Sequence, residues 1–237
     1  SYKKLAMINK TIAITGHTGV LGNNFIRENK KNKFIKCNVD ITNKKKVFKW
    51  IKNNKFGLFL HFAAIVPVTQ VKKNKKKAKK VNFIGTKNIV DALIKYKKYD
   101  NIWFFYSSTS HVYKPKKRKV KIKENESLKS INYYGYTKAL AEKYIIYNFP
   151  KHNIKYCIGR IFSFTDPNQD SSFFIPNMFK KILDKKNIKI DLKKINGCRD
   201  FVDITDIIRA IDLLYYKKAG GIFNIATGKA ISLKSVV

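Results

Sequence analysis

The sequence predicts an α/β fold on a mostly parallel sheet, and three observations carry that prediction. Short β-branched and aromatic runs alternate with stretches of helical period along the chain. A glycine triplet, Thr15-Gly16-x-x-Gly19-x-x-Gly22, stands between the first strand-like run and the first helix-like one. The 237 residues are 44% hydrophobic, enough to build a core despite 28% charge, so a wholly disordered chain is excluded.

Each element follows in order. Thr11 to Thr15 is a β-rich run, and Asn23 to Lys30 reads as a helix behind the glycines. Phe34 to Ile41 is a second strand candidate. Asn43 to Asn54 places Val47, Phe48 and Ile51 at helical spacing, and Leu58 to Ala64 reads as a buried strand. Lysine-rich Val71 to Lys80 reads as a solvated helix approach or loop. Lys79 to Lys95 is helical, with Val81, Ile84, Ile89, Val90, Leu93 and Ile94 near its period. Ile102 to Ser107 is a strand, Tyr134 to Tyr147 a helix and Lys155 to Ile161 a strand. Phe173 to Leu183 and Thr205 to Tyr215 are helices, and Ile222 to Ala226 is a last strand. A further helix is expected to begin at Ser232, where the sequence stops, so the C-terminal end reads as open. No internal repeat is visible.

Composition narrows the function classes. The net charge of +36 points at face value to nucleic acid or an anionic membrane. However, 46 of the 51 basic residues are lysine, and Asn and Ile are abundant too, a bias that shared A/T-rich codons explain. A dedicated phosphate gripper would use more arginine, whose planar fork binds phosphate in two places. Specific nucleic-acid binding is therefore not expected, whereas loose salt-sensitive attraction is. Pro115-Lys-Lys-Arg-Lys-Val120 has the form of a nuclear-import signal, but such a hexamer arises easily among so many lysines. No apolar run approaches the roughly 18 residues of a membrane span, and no signal-peptide pattern is apparent. Cys37, Cys157 and Cys198 fit neither a disulfide framework nor a zinc site, so a reducing, cytoplasmic setting is expected. His17, His61, His111 and His152 form no metal cluster, and no metal is expected.

Three constellations carry chemistry. The glycines allow a tight turn, close approach of backbone to a pyrophosphate and close helix–strand packing, and the helix N-terminus offers free N–H groups to phosphate. In Tyr134-Gly-Tyr-Thr-Lys138 a phenol and an ammonium lie one helical turn apart. A nearby ammonium lowers a phenol pKa from its ordinary value near ~10, which suits the pair to proton transfer beside a nicotinamide. Either pattern alone is common; a plain glycine turn and a plain surface helix are the bland readings. The third is the hydroxyl-rich Tyr106-Ser-Ser-Thr109-Ser110-His111-Val-Tyr113 at a strand's end, otherwise read as a capping turn.

These pieces together resemble the extended short-chain dehydrogenase/reductases, the NAD-dependent epimerase/dehydratase group, from about Thr11 to about Leu233. The matching stretches are TGHTGVLG (15–22), NVDIT (38–42), HFAA (61–64), VNFIGTKNIVDA (81–92), FYSSTSHVY (105–113), YYGYTK (133–138), RDFVDITD (199–206) and FNIATGKAISL (223–233). The resemblance implies a Rossmann-type doubly wound parallel sheet over 1–162. It also implies a small substrate-binding lobe over 163–237, with 200–226 returning to the first part. It implies NAD or NADP as cofactor, a nucleotide-sugar as substrate, and a homodimer built on the helices near Lys79 to Lys95 and Tyr134 to Tyr147.

The implied catalytic residues are Thr109, Tyr134 and Lys138. The implied cofactor residues are Gly16, Thr18, Gly19, Val20, Leu21, Gly22, Asp40, Ile41, Ala63, Ala64, Asn82 and Lys138. The implied substrate residues are Thr109, Ser110, His111, Tyr134, Ser163 and Arg199, the last as a diphosphate clamp. The chain also departs from the pattern. The stretch before Asp40 is short, so an acidic ribose-binding residue that would favour NAD is hard to place. Ser163 stands where many relatives carry Asn, and Lys114 replaces a glycine. No acidic residue follows Thr109, which lowers dehydratase chemistry and leaves 4-keto reduction or C4 epimerisation. The layout is similar to GDP-4-keto-6-deoxymannose reductases. The alternatives from other classes are a non-catalytic dinucleotide-binding regulator and a basic nucleic-acid-associated protein.

Overall fold

The computed structural model describes residues 9–66, 68–97, 100–116, 120–183 and 197–236. Residues 117–119, in the middle of the basic hexamer, lie outside the described residues. A six-stranded sheet runs β2-β1-β3-β4-β5-β8. Its strands are β1 (Thr11–Thr15), β2 (Lys33–Lys36), β3 (Leu58–His61), β4 (Trp103–Thr109), β5 (Lys155–Ile161) and β8 (Gly221–Ile225). Every neighbouring pair in it is parallel.

Side-chain alternation sorts the core into two layers. Ile12, Ile14, Leu58, Leu60, Trp103 and Phe105 point to one face, with Phe25 of α1 (Val20–Glu28) and Ile207, Ile208 and Ile211 of α8 (Ile204–Tyr216). Ala13, Phe59, Phe104 and Tyr106 point to the other face. There they meet α2 (Lys44–Asn53), α5 (Thr86–Lys97) and α6 (Tyr133–Asn148). Both faces are covered, so the central strands read as apolar runs.

The differences from the sequence expectation have local causes. α1 begins at Val20, before Asn23, because Gly19 is its N-cap and Gly22 sits inside the first turn. β2 is four residues long and ends at Lys36, since it is an edge strand that pairs with β1 alone. The lysine-rich stretch after β3 folds as α3 (Val68–Lys73) and α4 (Lys75–Lys79), with Val71 and Ala78 buried beneath its exposed lysines. A π-helical turn, Lys80–Gly85, joins α4 to α5. It lies where a Cβ on Gly85 would fall 2.6 Å from the Ile41 side chain.

A second, three-stranded sheet was not foreseen: β6 (Ser163–Thr165), β7 (Cys198–Asp203) and β9 (Ala230–Ser232), in the order β6-β7-β9. α7 (Phe174–Leu183) lies between β6 and β7 along the chain. Asn24 of α1 ties the first layer to the segment after β6 by donating to the buried Asp166 carboxylate at 3.1 Å. The expected helix after Ser232 is a single 3-10 turn, Leu233–Val236. Among the described residues no helix is long and apolar enough to cross a membrane.

Asp212 of α8 is buried and faces Asn29 at the end of α1. Burial pushes its carboxyl up from 3.8 to about 7, with Asn29 pulling the other way. The folded chain thus keeps a proton that the unfolded chain loses. The resulting stability is full below the unfolded value and is lost as pH rises through the folded one. Asp212→Asn removes that dependence. Thermal melts should show the variant gaining on the wild type between about pH 5 and about pH 8, by roughly 2 kcal/mol. A constant difference across that range would contradict the assignment.

Candidate active site

Strand order reverses between β1 and β3, and open α/β sheets hold ligands in the crevice outside such strand ends. The glycine loop fills one side of this crevice. Gly16 has φ +68°, and a Cβ there would sit 2.5 Å from the Ala63 nitrogen, so only glycine lets the loop lie against Ala63. Gly22 packs directly on the Gly16 carbonyl. α1 then starts with no capping side chain and no acidic residue in its first turn. The N–H groups of such a first turn have no intrahelical acceptor and favour an anion. Thr18 is exposed at the loop, Val20 and Leu21 are half-buried, and Nδ1 of His17 is buried without a partner. Ala63, against Gly16, and Ala64 after it are half-buried.

The end of β2, next to β1, carries a lysine. Lys36, exposed at the end of β2, stands about 20 residues past the first glycine, where an acidic residue would take a ribose 2′-hydroxyl. Asp40 is exposed and accepts from Thr42 N at 2.8 Å, which holds its carboxyl below the ordinary range. Ile41 is buried against Gly85, and Asn88 donates to its carbonyl at 2.9 Å.

A relay of hydrogen bonds fixes the crevice floor. Ala63 N donates to Thr15 Oγ1 at 3.2 Å, and Thr15 Oγ1 lies 2.6 Å from His61 Nδ1. His61 Nε2 lies 2.9 Å from Thr86 Oγ1, which itself donates to the Asn82 carbonyl at 2.8 Å. The direction is set: Thr86 must accept from Nε2–H, so Thr15 donates to Nδ1. Burial, with the Lys138 charge adding to it, pulls His61 down to about 3, which keeps the ring neutral. The Asn82 side chain is engaged by the protein. Its Oδ1 accepts from Ile65 N at 2.8 Å, and its Nδ2 donates to Ile65 O at 3.1 Å and Thr137 Oγ1 at 3.1 Å. It therefore ties the loop after β3 to α6.

The Tyr134 end of α6 packs tightly on the turn that follows β4. Asn132 caps the helix by accepting from Gly135 N at 2.9 Å, and Ile131 N donates to the His111 carbonyl at 3.1 Å. Gly135 touches that same carbonyl, so any side chain there would wedge the helix away. The packing brings the buried Tyr134 phenol within hydrogen-bonding reach of Thr109. Burial pushes the phenol above its ordinary range, and Thr109 opposes the rise. Lys138, one turn on, is also buried, with its Nζ 4.2 Å over the Tyr106 ring. Burial pulls its ammonium down to about 7, while the Glu142 carboxylate pushes it up.

The substrate-side candidates surround this group. Ser110 and His111 are half-buried in the turn, with the His111 and Tyr134 rings edge to face at 5.7 Å. Asn132 Nδ2 stands 3.0 Å from His111 Nδ1, which leaves the proton on Nε2. Burial, then the positive charge of Arg199, pulls His111 down to about 4. Arg199 therefore faces the site from β7, with its guanidinium 5.5 Å from the Phe174 ring. Ser163 opens β6 and pairs with Phe201. Asp200, beside Arg199, pins the loop after β8 by accepting from Thr227 N at 3.0 Å and Gly228 N at 2.7 Å.

Several neighbours were missed by sequence reasoning. Lys36 needed the observed end of β2 to be seen. Glu142 and Arg160 carried a signal that was available. Glu142 continues the Tyr134–Lys138 face by one more turn, and Arg160 interrupts an apolar strand. Among the described residues no group of His, Cys, Asp and Glu could hold a metal. Burial raises Cys37 to about 11 and Cys157 to about 12, which makes both thiols unreactive at neutral pH.

Known proteins share this fold. GDP-6-deoxy-D-mannose reductase of Pseudomonas aeruginosa is 24% identical over 184 residues, covering 75% of this chain and 60% of that protein. The chain thus spans about 60% of the length of that curated relative. UDP-glucose 4-epimerase of Thermus thermophilus, solved with NAD, superposes with a TM-score of 0.81 at 18% identity, over 95% of this chain and 80% of that one. The structure of RMD from Pseudomonas aeruginosa complexed with NADPH superposes with a TM-score of 0.82 at 19% identity, over 96% and 81%. These likenesses show the fold. The sequence model of the NAD dependent epimerase/dehydratase family matches residues 12–226, nearly the whole chain, and the chain belongs to that family.

Proposed function

We propose that the chain is an oxidoreductase of a nucleotide-sugar that prefers NADP and reduces a 4-keto group to a hydroxyl, with Thr109, Tyr134 and Lys138 as its reacting set. The observation that carries this reading is that the buried Tyr134 phenol meets Thr109 at the end of β4, with buried Lys138 one helical turn on, over the Tyr106 ring. The dinucleotide fits the crevice: Gly16 leaves no room for a side chain, α1 offers an uncapped N-terminus, and His17 Nδ1 lacks a partner.

When bound, the reduced cofactor supplies a hydride equivalent. The chain's own residues supply the proton and the orientation. Tyr134 keeps its proton at neutral pH because burial holds its pKa above the ordinary phenol value, so it is set as a donor to a carbonyl oxygen. Thr109 holds that oxygen in line by a second hydrogen bond. The Lys138 ammonium then stabilises the phenolate left behind. Arg199, on β7 opposite, offers a planar fork that suits a diphosphate. C4 epimerisation would use the same residues with Tyr134 first losing and then regaining its proton. The protonated phenol and the curated reductase relative favour reduction.

Lys36 supports NADP, because an ammonium at the end of β2 attracts a 2′-phosphate where a carboxylate would repel it. The homodimer also belongs to this reading; exposed Ile84, Tyr136 and Tyr147, in the π-helical turn and on α6, offer apolar surface for a second copy.

Fluorescence titration at about 150 mM salt, where loose charge attraction is partly screened, should give saturable binding at least about tenfold tighter for NADPH than for NADH. Lys36→Glu should erase most of that gap. Equal affinities in the wild type would remove the NADP preference, and no binding of either would remove the dinucleotide site.

Tyr134→Phe should lower turnover of a 4-keto nucleotide-sugar by roughly a thousandfold while leaving NADPH affinity within about threefold. Turnover surviving in this variant would refute its role. Binding without turnover of any sugar in the wild type would favour the regulator.

A further inference from the structure

A buried ion pair lies directly behind the candidate reacting set. Glu142 is fully buried on α6, one turn beyond Lys138. Its carboxylate accepts from Ser108 Oγ, the residue before Thr109. Arg160 of β5 grips the same carboxylate in a fork, with Nη2 2.7 Å from Oε2 and Nε 3.1 Å and 3.2 Å from the two oxygens. Arg160 is itself held in place. Its Nη1 donates to Tyr113 OH at 2.7 Å and to the Glu124 carbonyl at 2.9 Å. Tyr113 OH in turn donates to Asn224 of β8 at 2.7 Å.

The position of this pair is more specific than fold stability requires. An ion pair removed from water gains little over well-packed apolar residues, so its burial here is not accounted for by stability alone. Glu142 is one of the two charges on the buried face of α6, and the other is Lys138. Through Ser108 it also holds the strand end that presents Thr109. The charged and titratable groups around Lys138 are Glu142 on its own helix, Tyr134 before it, Tyr106 of β4 beneath it and neutral His61 of β3. Those around Glu142 are Lys138, Arg160 and Tyr106.

We propose that Glu142 is a positioning residue of this site: it holds Thr109 in line through Ser108 and sets the electrostatic field at the Lys138 ammonium, with Arg160 as its fixed counter-ion. This rests on the reading that Thr109, Tyr134 and Lys138 react. Removing the carboxylate lowers the proton affinity of Lys138, because burial then acts unopposed. Removing the guanidinium raises it, because the full field of Glu142 falls on the ammonium. A pair whose charges are screened from the lysine would move it in neither variant.

The test uses the whole chain labelled with carbon-13 lysine. Ordinary lysines titrate near about 10.4, so a lysine signal titrating close to neutrality stands apart and is assigned by its loss in Lys138→Met. Glu142→Gln should move that midpoint down by about one pH unit, and Arg160→Gln should move it up. Ser108→Ala should leave the midpoint in place but lower kcat by about tenfold, with KM and NADPH affinity within about twofold. In Glu142→Gln the alkaline limb of the kcat/KM profile should follow the lysine.

An unmoved midpoint in both charge variants, or movement in the same direction, would overturn the electrostatic role. Wild-type kcat in Ser108→Ala would overturn the link to Thr109. Should Glu142→Gln fail to fold, Arg160→Gln and Ser108→Ala still decide. The lysine titration needs no cofactor, so absent NADPH binding or turnover in the wild type counts against the functional reading alone.

Discussion

The constraint on which this structure turns is the desolvation of one helix. α6 is buried along most of its length, and its inward face carries Tyr134, Thr137, Lys138 and Glu142 in place of apolar side chains. Each of those groups loses water on folding, and each unpaired one would cost roughly 1–3 kcal/mol or more. The surrounding elements are arranged to meet that demand. Asn82 answers Thr137, Tyr106 offers its ring to Lys138, and Ser108 and Arg160 answer Glu142. The π-helical turn and its Thr86 back-bond serve the same end, since they set Asn82 between the loop after β3 and α6. Satisfying the helix's polar groups and assembling the candidate site are thus one geometric problem.

Backbone contact is the second half of that solution. Gly16 against Ala63 and Gly135 against the His111 carbonyl are places where main chain touches main chain. The first closes the wall of the crevice, and the second brings the phenol of α6 to the hydroxyl of β4. Side chains could not be substituted at either without separating the elements that the hydrogen bonds join. Packing density and polar satisfaction therefore reinforce each other.

Much of the fold was legible because its signals are local. β5 runs over Lys155–Ile161, as its apolar pattern predicts, and α2, α6, α7 and α8 fall within a residue or so of their periodic stretches. That Tyr134 and Lys138 share one helix face was legible from their spacing, whereas the choice of Thr109 within its hydroxyl-rich run came from the family resemblance. What stayed hidden depends on contacts distant in sequence. β6 and β9 are three residues each, too short for alternation to register, and they exist through pairing with β7. The role of Asn82 requires Ile65 and Thr137 to be brought together by the fold. Lys36 gains meaning only where β2 ends, and no periodicity marks that point in a four-residue strand.

Arg160 has a consequence for how this chain tolerates compositional drift. In a sequence where lysine has taken nearly every basic position, Arg160 is the one buried arginine among the described residues, where Arg27, Arg199 and Arg209 are exposed. An ammonium there would be a point charge with no fork to engage both carboxylate oxygens, Tyr113 and Glu124 at once. Nucleotide bias can thus rewrite the hydrated surface almost freely, since one cation there is as good as another. It meets resistance where geometry, and not charge alone, is required. Surface lysines of this protein away from Lys36 are accordingly open to wholesale replacement, for solubility or crystal growth, while the planar cation behind α6 is not.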